Sequence, residues 1–483
     1  MTDRNRNRTY NQANEGRKPV IPADSRRLRS ISPFTGETVG TWRCQTGKEV
    51  LETANASEAA FHQWSRSSSA DRAAKLTALA RLLEESRDSL ARLMALEMGK
   101  PVGQGVAEAD KCALVCRYYA RHAGAFLADM PVLTEARRCY VRHEPMGVVY
   151  GVMPWNFPFW QFFRFAAPAV AAGNGILLKH SPGVTGCALK IASLFSSAGF
   201  PPGLPGVLLV PGHRAGPVSR MIIRHPGVKA ITLTGGVEAG RSIAREAGNE
   251  LKKCVLELGG SDPAVVLEDA DLELAAKTIA FSRLINAGQN CIASKRVIVL
   301  QKVLQVFLEL FTREMERAVM GDPMEHSTTL GPMARSDLRE TLHRQVSDSL
   351  AMGARLNTGG VIPDGPGFFY PPTVLSGVTP GMPAADQETF GPVAAVLSAV
   401  DDADAVKLAG RTGFGLGASV FTGDRARGES IAKKIASGAC FINTLVRSDP
   451  RLPFGGTGLS GYGRELSSHG LMEFINVKTI WVE

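Results

Sequence analysis

Ala230-Ile231-Thr232-Leu233-Thr234-Gly235-Gly236, residues 230–236, is an apolar strand-like run that ends in two glycines and leads into a helical pattern. The same order occurs upstream. Gly175-Ile176-Leu177-Leu178-Lys179 precedes a helical segment near 188–197, and Val207-Leu208-Leu209-Val210 precedes another. It resumes at Val297-Ile298-Val299-Leu300, followed by a helix over 304–319. Strands alternating with helices predict parallel sheets flanked by helices, with ligands at the carboxyl ends of the strands. A chain of 483 residues exceeds what one core organises, so two α/β domains are expected.

The flanking segments are less regular. Residues 31–45 read as a turn between short strands. Leu76, Leu79, Leu82, Leu83, Leu90, Leu93 and Leu96 recur at helical spacing, predicting one helix over 69–98 that closes at Gly99-Lys100-Pro101. A second helix is expected to about residue 127, and residues 138–149 alternate as strands do.

Composition excludes several classes. A hydrophobic fraction of 44% and a charged fraction of 21% are ordinary for a soluble globular protein. The net charge of +9 is concentrated at the start: residues 1–30 carry eight basic and three acidic side chains, or +5, leaving +4 for the rest. This polar tail lacks an apolar signal region and is expected to be disordered. No nucleic-acid partner is implied by the body. No apolar run approaches the ~18–20 residues that span a membrane. Eight cysteines lie scattered without disulfide or zinc spacing, so no metal site is expected and a reducing cytoplasm is.

Two glycine motifs are misleading. The segment from Gly235 to Ser242 approaches a P-loop, but Arg241 stands where the phosphate-binding lysine is required. Its strand–glycine–helix turn still suits a dinucleotide pyrophosphate. Gly456-Thr457-Gly458-Leu459-Ser460-Gly461 satisfies GxGxxG, yet only 22 residues follow, too few for a βαβ unit.

The chemistry concentrates between Leu256 and Arg296. Leu256-Glu257-Leu258-Gly259-Gly260 places a carboxylate where an apolar run ends, and Asn286-Ala287-Gly288-Gln289-Asn290-Cys291 places a thiol in a loop. Met153-Pro154-Trp155-Asn156-Phe157-Pro158 holds an asparagine between two prolines. Each has a plain structural reading as a core cysteine, a turn carboxylate or a turn-forming amide. Together they suit thiol attack on a carbonyl, oxyanion stabilisation and base-assisted hydrolysis.

These motifs, with Glu388-Thr389-Phe390-Gly391-Pro392 and Pro453-Phe454-Gly455-Gly456, resemble those of the NAD(P)-dependent aldehyde dehydrogenases, in family order over residues 30–483. The resemblance implies Cys291 as nucleophile, Asn156 with the Cys291 backbone N–H as oxyanion hole, and Glu257 as base for deacylation. It implies NAD or NADP bound by Trp155, Lys179, Ser181, Pro182, Thr234, Gly235, Gly236, Leu258, Glu388 and Phe390. Residues 30–126 and 148–259 would form the cofactor domain and 260–465 the catalytic domain. Residues 127–147 with 466–483 would form a β oligomerisation element of a homodimer or homotetramer, and 1–29 the disordered tail. Gly236 departs from the family's usual serine. Pro182 stands where NAD-preferring members carry a glutamate, which leaves the cofactor preference open.

The chain is most similar to the bacterial and cyanobacterial succinate-semialdehyde dehydrogenase branch, through 159–165, Leu178-Lys179-His180-Ser181-Pro182, Lys252-Lys253-Cys254 and Arg447-Ser448-Asp449. That resemblance implies Arg164 and Ser448 at the acid end of the substrate, Trp160 along its chain, and Arg283 as a second candidate. Arg164 sits among aromatic residues, where its charge needs a partner: a substrate carboxylate, or an internal one. A general or CoA-acylating dehydrogenase, and a weakly active binding protein, are the alternatives.

Overall fold

The computed structural model describes residues 26–483. Most of the expected tail lies outside the described residues, and its boundary after residue 29 falls inside the strand Arg27–Ile31.

The alternating segments form two sheets. One has six strands in the order Gly461–Tyr462, Lys253–Glu257, Val228–Thr234, Val148–Met153, Gly175–His180, Gly206–Val207. All neighbours are parallel except the first pair. The other has seven: Arg355–Thr358, Thr373–Ser376, Val393–Ala399, Ser294–Leu300, Asp262–Val266, Gly417–Phe421, Ala439–Ile442. It too is parallel but for its first pair. Gly175–His180 and Ser294–Leu300 are buried at every position, as strands covered on both faces must be.

Helix Trp160–Ala171 is buried all round, which its apolar sequence requires. It packs on helix Val102–Phe126, and that pairing brings two distant segments to the site. Capping boxes at Thr46/Glu49 and Ser68/Asp71 start the first two helices. The single helix expected over 69–98 is two, Ser69–Glu85 and Arg87–Met98. The two meet at Ser86, whose N–H reaches the Leu82 and Glu84 carbonyls and whose carbonyl accepts the Leu90 N–H at 3.0 Å and the Ser89 hydroxyl. Gly99 closes the second in a left-handed conformation, φ 77°.

A separate three-stranded antiparallel sheet joins Ile475–Val482, Arg138–Pro145 and Met130–Pro131. Strand Gly461–Tyr462 returns from beyond the seven-stranded sheet to pair with Leu256 and Glu257. The GxGxxG segment is thus a brace: Ser460 Oγ donates to the Gly259 carbonyl at 2.7 Å, and Leu258 N–H donates to the Ser460 carbonyl at 3.0 Å.

Candidate active site

Four parallel strands of the six-stranded sheet end at one rim. Met153 leads to Asn156, Lys179 and His180 close the next strand, and Thr234 and Glu257 sit side by side in register. Cys291 lies on the loop before Ser294–Leu300, facing this rim from the other sheet.

That loop is strained and heavily tied. Asn286 and Ala287 hold φ of 57° and 53°, and Gly288 follows at 69°. A Cβ on Gly288 would come 2.3 Å from the Gly391 backbone. Asn286 Nδ2 donates to the Asn156 carbonyl at 2.7 Å, and Gln289 Nε2 donates back to the Asn286 carbonyl at 3.1 Å. Asn156 Nδ2 donates to the Gln289 carbonyl at 3.1 Å, which sets its amide beside the nucleophile loop. Buried Lys295 donates to the carbonyls of Asn290 and Cys291 at 2.9 and 2.7 Å and pairs with Glu388 at 3.4 Å. Glu388 in turn accepts the Gly260 N–H at 3.0 Å.

Arg283 belongs to this scaffold. Its guanidinium donates to the carbonyls of Gly288 and Gly391 and is wholly buried, so it braces the loop and does not line the chamber around Cys291. The expected substrate contact is not seen there: the chamber lining does not include Arg283, and its Nη2 is held by the loop carbonyls.

Burial pushes the Cys291 thiol up to about 11, with Arg164 and Lys295 acting the other way. Burial likewise raises the Glu257 carboxyl well above the usual range, opposed by Arg164 and reinforced by Glu465. Among the described residues neither Glu257 oxygen has a hydrogen-bond partner, which leaves a desolvated carboxylate free to accept a proton.

A chamber of about 140 Å³ opens beside the thiol, lined by Cys291, Trp160, Arg164, Ser448, Lys111 and Arg447 among others. It holds roughly five waters' worth of space, small beside the ~300–1,000 Å³ of drug-sized sites. Arg164 lines it but is not a free clamp. Its guanidinium is ion-paired to Glu465, lies 3.9 Å from Glu257, donates to Thr234 Oγ1 at 3.3 Å and stacks 4.5 Å over Phe454. Burial works against that charge, and the two carboxylates outweigh it and raise the guanidinium pKa. The expected carboxylate clamp thus meets an internal partner: Glu465 approaches the Nε of Arg164 while the residue still lines the chamber.

Two cations that sequence reasoning missed, Lys111 and Lys295, join Glu465 in this site. Lys295 carried a faint signal, a charge in the apolar run Ser294–Leu300. Lys111 and Glu465 carried none.

The rim also fits a dinucleotide. Burial pushes the Lys179 ammonium down to about 8, and among the described residues no counter-charge opposes it. A Cβ on Gly236 or on Gly183 would meet nothing within 4 Å, and Gly236 caps helix Val237–Asn249 without a side-chain hydrogen bond. Trp155 stands edge-on to Phe390 at 5.9 Å. Ser181 and Pro182 form the turn after Lys179, and Leu258 is fixed beneath Gly240. Arg241 pairs with Glu238 at 3.0 Å at the surface, away from any P-loop role.

The aldehyde dehydrogenase family model matches residues 20–480. The chain belongs to the aldehyde dehydrogenase family. This aldehyde dehydrogenase is 44% identical to the probable succinate-semialdehyde dehydrogenase [NADP(+)] of Synechocystis sp., over 94% of its own length and 99% of the relative's. It is also 44% identical to the Escherichia coli (strain K12) succinate semialdehyde dehydrogenase [NAD(P)+], over 94% and 97%. Among solved structures, the succinic semialdehyde dehydrogenase of Streptococcus pyogenes in complex with NADP+ superimposes with a TM-score of 0.91 at 36% identity, covering 94% and 99%. Among the described residues no helix of this aldehyde dehydrogenase is long and apolar enough to cross a membrane.

Proposed function

We propose that this aldehyde dehydrogenase oxidises succinate semialdehyde to succinate with NAD or NADP. The observation that carries the proposal is the small chamber in which the Cys291 thiol shares its walls with Lys111, Arg164 and Arg447. A short aldehyde bearing an anionic group suits that combination of size and charge. The named activities of the Synechocystis and Escherichia coli relatives support the same substrate.

In the reaction, the Cys291 thiol adds to the aldehyde carbonyl, while the Asn156 amide and the Cys291 backbone N–H hold the developing oxyanion. The bound dinucleotide supplies the hydride acceptor. Glu257 then takes a proton from the water that cleaves the thioester, releasing the acid and the thiol. A desolvated carboxylate with no hydrogen-bond partner favours water activation over transfer to a thiol acceptor such as CoA. Lys179 and Glu388 would hold the two riboses, and the open N-terminus at Gly236 the pyrophosphate, next to Thr234 and Gly235. Lys295 would position both Glu388 and the Cys291 loop.

A homodimer or homotetramer would form through the three-stranded sheet. Its strand Ile475–Val482 is an edge, and Val477, Trp481, Met130 and the adjoining Leu133 are exposed.

Steady-state kinetics with succinate semialdehyde, butanal and larger aldehydes, run separately with NAD and NADP, test the proposal. Succinate semialdehyde should give the highest kcat/KM, and both cofactors should be accepted. Equal kcat/KM for butanal would overturn the substrate and leave a general aldehyde dehydrogenase.

A further inference from the structure

The proposed substrate carries a carboxylate, and Arg164, the residue expected to meet it, is anchored by an ion pair to Glu465. Lys111 enters the same chamber from helix Val102–Phe126. Its Nζ donates to Ser448 Oγ at 2.7 Å and stands 4.3 Å above the Trp160 ring. We propose that Lys111 is a cation that receives the substrate's carboxylate, and that it contributes to the preference for acid-bearing over neutral short aldehydes. This rests on the succinate-semialdehyde assignment and adds to it a residue that discriminates.

Among the described residues Lys111 has no committed counter-ion. The charged and titratable groups facing it are Glu108 and Cys112 on its own helix, Arg164 on the helix Trp160–Ala171, and Asp449 beside Ser448, with Arg447 and Cys291 lining the same chamber. Each carboxylate among them serves another partner. Glu108 is ion-paired to buried Lys100 and accepts the N–H groups of Phe159 and Trp160, both at 2.9 Å. Asp449 takes the Arg451 guanidinium at 2.9 and 2.7 Å. A half-buried ammonium held between a hydroxyl and an indole face is oriented for an incoming anion. Ser448 accepts from Lys111, so its own O–H is left to donate to the same carboxylate.

Burial and the Arg164 charge push the Lys111 ammonium down to about 8, with Cys112, Glu108 and Asp449 acting the other way. A bound carboxylate favours the charged form, so affinity for an anionic substrate should be full below pH 8 and fade above it. A neutral aldehyde has no such dependence through Lys111.

The test compares succinate semialdehyde with butanal, the same chain without the acid group, in the full-length protein with cofactor. In Lys111→Met the semialdehyde-to-butanal ratio of kcat/KM should fall at least about tenfold, most of it in KM, as for loss of one partner of a partly desolvated charge pair. Lys111→Arg should keep most of the ratio at pH 7 and carry the alkaline rise in KM for the semialdehyde to higher pH. A folded Lys111→Met with an unchanged ratio overturns the assignment of Lys111 while leaving the substrate intact. A wild-type protein that does not prefer the semialdehyde overturns the substrate, and the role of Lys111 with it. Should Lys111→Met fail to fold, the pH profile of Lys111→Arg decides: an alkaline limb identical to wild type overturns the proposal.

Discussion

Replacing Arg164 by methionine removes the one guanidinium between two buried carboxylates. Arg164, Glu257 and Glu465 are each at most 2% exposed at the side chain, so no water can replace the lost charge. Breaking a buried pair by deleting one partner costs about 3–5 kcal/mol. Two carboxylates are stranded here, and the upper part of that range is expected at pH 8. The pH dependence has a definite sign. Burial already raises both carboxyls above their ordinary range, and removing Arg164 raises them further. An acid whose folded pKa lies above its unfolded value favours folding at low pH and loses that contribution as pH rises through the folded pKa. The deficit should therefore shrink as pH falls from 8 towards 5. Replacing Glu465 by leucine as well should recover much of the loss, because a buried pair exchanged for apolar side chains is close to neutral. Urea denaturation of wild type, Arg164→Met and Arg164→Met/Glu465→Leu at both pH values reads these terms. Kinetics on the same proteins should show succinate semialdehyde and butanal losing kcat/KM together, since Glu257 loses its counter-charge whatever the substrate. A stable Arg164→Met protein that lost only the semialdehyde would refute the internal pairing and restore Arg164 as the clamp.

Cys291→Ala should abolish reduced-cofactor production while dinucleotide binding, followed by fluorescence, persists; any retained turnover removes the thiol from the mechanism. Glu257→Gln should slow deacylation more than the first turnover, giving a burst of reduced cofactor ahead of a slow steady state. Loss of the burst along with turnover would make Glu257 the activator of the thiol instead. Pro182→Glu should lower the NADP-to-NAD ratio of kcat/KM at least about fivefold, the ~1 kcal/mol of like-charge repulsion at ~4 Å even in water. An unchanged ratio places the ribose 2′ site elsewhere.

The chain's local order was readable without a structure. Strand and helix are written in periodicity over a few residues, so the alternation around 230–236 foretold the parallel sheets. Glu257, Asn156 and Cys291 stood out because each sits in a short motif whose glycines or prolines mark a strand end or loop. Where local order failed, it failed at a helix boundary. Ser86 sits within an apolar pattern that runs unbroken through it, yet one helix ends and the next begins there.

The state of each charge was another matter. Sequence offered Arg164 and Arg283 as carboxylate clamps and passed over Lys111. Folding sets Arg283 against two loop carbonyls and Arg164 against Glu465, and it sets Lys111 against Ser448, 337 residues away. Whether a buried cation is satisfied depends on acceptors brought from remote segments, and no local pattern encodes them. The sequence by itself determined the elements and the reactive groups; the tertiary structure alone decided which cations were left for a substrate, because electrostatic pairing in a low-dielectric interior is settled by contact in space, not by spacing along the chain.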